Sequence, residues 1–217
     1  MRVIRDANLL TRLIWGALIL ACAISLFTAR WSLAFVALAT FALTLVPPLL
    51  ASRWSLALPR TYLLASTVFI FCSVFLGEAF GFYERYWWWD ISLHGFSAVG
   101  FGLFGFLFIF MLFEGDRFAA PPSALAFLAF CVGMMVGAVW EIFEFAMDQL
   151  FGLNMQKSGL VDTMGDLIVD AVGAAFASLS GYLYLRGKGE GPLGDLINVF
   201  IQRNREFYQR FRNRNER

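Results

Sequence analysis

"VDTMGDLIVDAVGAAFASLSGYLYL", Val161 to Leu185, decides how the chain is read. Its length and apolar content are those of a helix that crosses a membrane, which takes about 20 residues at 1.5 Å of rise each. Yet Asp162, Asp166 and Asp170 stand in its first half, at i, i+4 and i+8, and therefore share one helical face. A charged aspartate at the centre of a spanning helix costs roughly 2.5–3.5 kcal/mol on the insertion scale. Three on one stripe require partners, and the rest of the chain must supply them.

The rest of the chain is equally apolar. Hydrophobic residues make up 59 % of it and aromatics 18 %, with a mean hydropathy of +0.67, which excludes an ordinary soluble domain. Six apolar runs have spanning length: 13–29, 31–50, 61–82, 91–113, 123–147 and 163–185. The first follows Arg2, Arg5 and Arg12 but has no convincing small-residue cleavage site after it, so it is expected to be a retained anchor. Pro47 and Pro48 are expected to end or kink the second run. Cys22, Cys72 and Cys131 fall singly in apolar runs, without metal-ligand or redox spacing, and read as small hydrophobes.

Basic residues orient the spans. With both termini in the cytoplasm, Arg30, Arg85 and Lys157 lie outside and the other 14 of the 17 Lys and Arg lie inside. The fold expected is an all-α integral membrane protein, a six-transmembrane helix bundle over residues 1–186, with a cytoplasmic tail over 187–217. In that tail Leu193, Leu196, Ile197, Phe200, Ile201, Tyr208 and Phe211 recur at helical spacing between arginines such as Arg203, Arg205, Arg210 and Arg212. This is the pattern of a basic amphipathic helix lying on the anionic inner leaflet. It carries no nucleic-acid recognition motif, so nucleic acid is not an expected partner.

This topology sorts the acidic residues by depth. Asp90, His94 and Ser97 share a face as the fourth span enters from outside. Glu141, Glu144 and Asp148 share one as the fifth leaves, and the three aspartates of the sixth enter beside them. Glu78 adds a carboxylate near the outer end of the third. Asp90, Asp148 and Asp162 are shallow enough to meet water at the interface. His94, Glu141, Asp166 and Asp170 are not, and ionisable residues at that depth read as functional. Carboxylates so crowded must take up protons or bind cations. One or two divalent ions are therefore expected, held by residues among Asp90, His94, Glu141, Glu144, Asp162, Asp166 and Asp170. Oxygen-rich sets suit Mg²⁺, Mn²⁺ or Ca²⁺, and a histidine with carboxylates admits Zn²⁺. Gly95, Gly100, Gly133, Gly137, Gly165 and Gly173 are expected to let helices approach closely. Trp87, Trp88 and Trp89 read as an interfacial aromatic belt.

The stretches "YWWWDISLHGFSAVGFG" and "VWEIFEFAMDQLFGLNMQKSGLVDTMGDLIVDAVGA" resemble the bacterial membrane-protein family typified by YjdF, over roughly Thr61 to Leu185. More distantly, Asp90-x-x-x-His94 and Asp166-x-x-x-Asp170-x-x-Gly173 are similar to the VanZ-like family. Members of that family carry Asn where Asp170 stands, and an Arg before the last span where this chain offers Lys157. The resemblance implies a bacterial cytoplasmic-membrane protein with a shared polar site, and it brings no established reaction.

Three functions fit. The first is a metal-dependent enzyme acting on a lipid or lipid-linked substrate from the outer leaflet. His94 or Glu144 would be the general base, with Arg85 and Lys157 holding an anionic headgroup. The second is a cation or proton transporter, and the third a non-enzymatic membrane protein with a structural ion.

Overall fold

The computed structural model describes residues 7–113 and 120–204. Among these the chain is all-α, and six helical segments are long and apolar enough to cross a membrane. α1 is Leu9–Phe27, α2 Trp31–Arg53 and α3 Arg60–Ile70, which continues as a π-helix over Phe71–Ala79. The short α4 (Phe82–Arg85) precedes α5 (Trp88–Leu112), α6 (Pro122–Phe151), α7 (Leu160–Leu185) and α8 (Pro192–Arg203). The chain divides into two compact units, one holding 7–89 with 199–204 and the other 90–198.

The first unit starts with Asn8, whose side chain caps α1 by accepting from the Thr11 amide at 2.9 Å. α1 turns into α2 through Ala29, which takes a left-handed φ of 54°, and the Arg30 amide bonds back to the Ser25 carbonyl at 2.8 Å. Ile14, Leu18, Ala37 and Phe75 form one apolar cluster, and Ala7, Trp15 and Leu63 another. Between them the Trp15 indole donates to the buried Thr44 hydroxyl at 2.9 Å. Pro47 and Pro48 do not end α2, which runs on to Arg53. Proline's fixed φ is helical, and spanning helices tolerate the missing amides where neighbouring groups re-satisfy the freed carbonyls. The third span is not the uniform α-helix expected, since its second half is wound with i→i+5 bonding. Trp87 is 82 % exposed, while Trp88 packs at a tilt against Tyr86 and Trp89 meets Phe82 edge to face.

The end of α8 also belongs to this unit. Asn204 is buried, and its side-chain amide grips one residue of the α2–α3 connection. Oδ1 accepts from the Ala57 amide at 2.7 Å, and Nδ2 donates to the Ala57 carbonyl at 3.1 Å. Ile197 and Phe200 are buried as well, so the described part of the tail turns apolar side chains into the protein. The arginines expected to meet the leaflet at 205, 210 and 212 lie outside the described residues.

The second unit packs α5, α6 and α7 through small residues. A Cβ on Gly133 would lie 2.8 Å from the Ala174 Cβ and 3.3 Å from the Gly102 Cα. A Cβ on Gly102 would meet Ala177, one on Gly105 Val132, and one on Gly173 both Ala98 and the Gly95 carbonyl. Contact at this range replaces the missing hydrophobic drive between helices in lipid with dense van der Waals packing. The pattern is inside-out. On α7, Ile168 and Val172 are 61 % and 67 % exposed, whereas Asp166 and Asp170 are 3 % and 1 %. In water that arrangement would be untenable, and in lipid it is the favourable one.

Candidate metal centre

The polar site of the second unit is built where α5 and α7 begin and α6 ends. His94, one turn into α5 from Asp90, points at carboxylates from both neighbouring helices. Its Nδ1 faces the Asp170 carboxylate of α7, 3.3 Å from each oxygen. Its Nε2 is 3.6 Å from Glu141 Oε1 on α6 and 4.0 Å from Asp90 Oδ1. His94, Glu141, Asp166 and Asp170 are all buried, as their depth in the sequence requires.

The Asp170 carboxylate bears on the use of the imidazole. With Nδ1–H donated to a carboxylate, the lone pair resides on Nε2, the tautomer a metal ligand needs. Glu141 is 4 % exposed, and neither of its oxygens has a hydrogen-bond partner. The Thr163 hydroxyl lies near it and accepts from Gln156 Nε2 at 2.6 Å. A buried carboxylate left bare is costly unless something positive joins it.

Two sets of candidate ligands are close enough to hold an ion, with one atom from each residue and all within 4.8 Å of one another. The first is His94, Glu141 and Asp166, and the second is Asp90, Asp162 and Asp166. Ligands at about 2.1 Å from one ion stand at most about 4.2 Å apart, so each set needs only small side-chain rotations to close. The donors suit a divalent cation, nitrogen with carboxylate in the first set and carboxylates alone in the second.

Other residues expected at the site are placed differently. Asp170 falls outside both sets and orients His94 instead. Glu144, also outside them, accepts from the Trp140 indole at 2.9 Å. Lys157 lies 3.5 Å from Asp90 Oδ2, at the edge of the second set. Arg85 is exposed on α4 of the first unit, to which Glu78 also belongs. Asp148 is half-buried and also structural. Its two oxygens accept from the Met155 and Gln156 amides at 2.7 and 2.9 Å and so pin the loop between α6 and α7.

Two supporting residues escaped the sequence reading. Trp140 was legible in principle, four residues before Glu144 on the same face. Gly137 was read as helix packing, but its contact is polar. A methyl group there would run into the Asp170 carboxylate.

The family comparison agrees with this reading of the spans. The model of a family described as a predicted membrane protein, DUF2238, matches residues 10–187. The chain belongs to this family. The match takes in all six membrane-length helices and every candidate ligand of the DUF2238 site, and YjdF, resembled on sequence, typifies the same family. An uncharacterised protein of Thermotoga maritima is 34 % identical over 114 residues, which is 52 % of this DUF2238 chain and 57 % of that protein. No solved structure matches it.

Proposed function

We propose that the protein is a metal-dependent enzyme of the bacterial cytoplasmic membrane, acting on a lipid or lipid-linked substrate from the outer half of the bilayer. The observation that carries the metal is Glu141, a buried carboxylate with no hydrogen bond, facing a histidine nitrogen whose partner nitrogen Asp170 has already engaged. His94, Glu141 and Asp166 hold the ion, which supplies Lewis acidity toward a phosphoryl or carbonyl oxygen. His94 serves as a ligand and not as the base, because Asp170 and the ion occupy both nitrogens. That leaves Glu144, one helical turn from Glu141 and steadied by Trp140, as the general base. Lys157 lies close enough to Asp90 to exchange that partner for an anionic headgroup. The distant likeness to VanZ-like proteins belongs to this proposal and supplies no substrate.

A cation path is the weaker reading. Beyond Asp170 the three helices meet at Gly102, Gly133, Gly173 and Ala174, too close for a file of water. The test uses the full chain purified in detergent, with Mn²⁺ or Zn²⁺ added and a bacterial lipid extract as substrate, read by mass spectrometry. Conversion of a lipid species that stops with chelator and with Glu144→Gln is the expected result. Bound metal without turnover would identify a structural ion instead, and metal-dependent flux in vesicles a transporter.

A further inference from the structure

The two ligand sets share Asp166 and differ in every other member. Each also has its own bare oxygen. Glu141, exclusive to the first set, has neither oxygen bonded, and Asp162, exclusive to the second, has its buried Oδ2 unbonded. Asp166 is 3 % exposed, and both sets need it. We infer that the site binds two divalent cations bridged by the Asp166 carboxylate, one oxygen to each. This rests on the metal reading above and adds to it the number of ions and the residue that couples them.

Charge supports two ions over one. Asp90, Glu141, Glu144, Asp162, Asp166 and Asp170 bring six carboxylates to the neighbourhood of His94, and Lys157 at Asp90 offsets one of them. Two dications bring the site to within one charge of neutrality, whereas one leaves a net charge of minus three in a low-dielectric surround. The donor sets also divide the ions by kind. The histidine set favours Zn²⁺ or Mn²⁺, and the carboxylate set a hard ion such as Mg²⁺ or Mn²⁺. Two-metal sites that clamp both oxygens of a displacement hold their ions about 3.5–4 Å apart, and a shared Asp166 would keep such a pair adjacent.

Mn²⁺ suits both sets and reports its own neighbours, so the test loads the full-length protein with Mn²⁺ alone. Metal content and electron paramagnetic resonance are then read together. Two ions per chain with an exchange-coupled spectrum are expected, falling to one ion with an isolated-ion spectrum in Asp162→Asn, and also in His94→Ala. Asp166→Ala is expected to lower the affinity of both subsites more than tenfold. One ion in the wild type, unaffected by Asp162→Asn, would overturn the pair while leaving the mononuclear enzyme standing. Two ions with isolated-ion spectra would overturn the bridge. No bound Mn²⁺ or Zn²⁺ at all would end both proposals. If a variant elutes as aggregate, the wild-type stoichiometry and spectrum decide.

Discussion

At the scale of single residues, the site depends on Asp170, which touches no proposed metal yet determines which imidazole nitrogen faces it. Carboxylates that orient a ligating histidine typically contribute 10–100-fold to metal affinity. Asp170→Asn should therefore weaken Zn²⁺ or Mn²⁺ binding by about that factor in a chelator-competition titration, without abolishing it. Glu141→Gln, which removes a ligand, should weaken it further. Equal losses in the two variants would place Asp170 among the ligands, where its depth in the sequence first suggested it. Sequence spacing could assign Asp170 to the polar face but not to a partner, because periodicity reports direction around one helix and says nothing of the distance to another. Asp148 illustrates the same limit. Its stripe position suggested water, and the loop amides it holds follow it by only seven and eight residues. Asp148→Ala removes two bonds to a charged acceptor, each worth about 1.5–3 kcal/mol, and should lower thermal stability with the full set of metal ligands still present.

Between elements, glycine decides how near α5, α6 and α7 come. The spans themselves were legible, since length and apolarity suffice to find them and their ends agree with the helices to within a few residues. Which glycines sit at contacts was only partly legible. Gly95, Gly133, Gly137 and Gly173 lie against a neighbouring helix, but Gly100 and Gly165 face open space, and Gly102, Gly105 and Gly181 make contacts that spacing did not single out. A small residue permits approach, and only the partner helix determines whether approach occurs. Two alanine substitutions test this. Gly165→Ala meets nothing and should stabilise the helix by up to about 1 kcal/mol through propensity. Gly137→Ala displaces the Asp170 carboxylate and should reduce metal affinity about as much as Asp170→Asn does. A silent Gly137→Ala would mean that Asp170 is free to move.

For the molecule as a whole, the exposed Ile168 and Val172 and the buried Asp166 and Asp170 establish that lipid is the solvent, while orientation rests on the arginine distribution. A phosphatase reporter in the loop at Asn154 should be active in the periplasm, and a fluorescent reporter after Arg217 should mature in the cytoplasm. The reverse pattern would put the site in the inner half of the bilayer, and a substrate from the outer leaflet would be ruled out. The tail expected as a separate segment has a second attachment that no local pattern foretold. Asn204 and Ala57 are 147 residues apart, and amphipathic spacing identifies a face without identifying what covers it.

That clamp has a consequence for how the protein is made. A chain entering the membrane from its N-terminus completes α1, α2 and α3 early, but the amide and carbonyl of Ala57 meet Asn204 only after a further 147 residues have been synthesised. A segment made late thus closes a unit begun by the first helices. Until it arrives, the amide and carbonyl of Ala57 lack these two side-chain bonds. A ribosome that stops short of Asn204 would leave all six membrane-length helices and the candidate ligands complete, yet without the side chain that closes the first unit on Ala57.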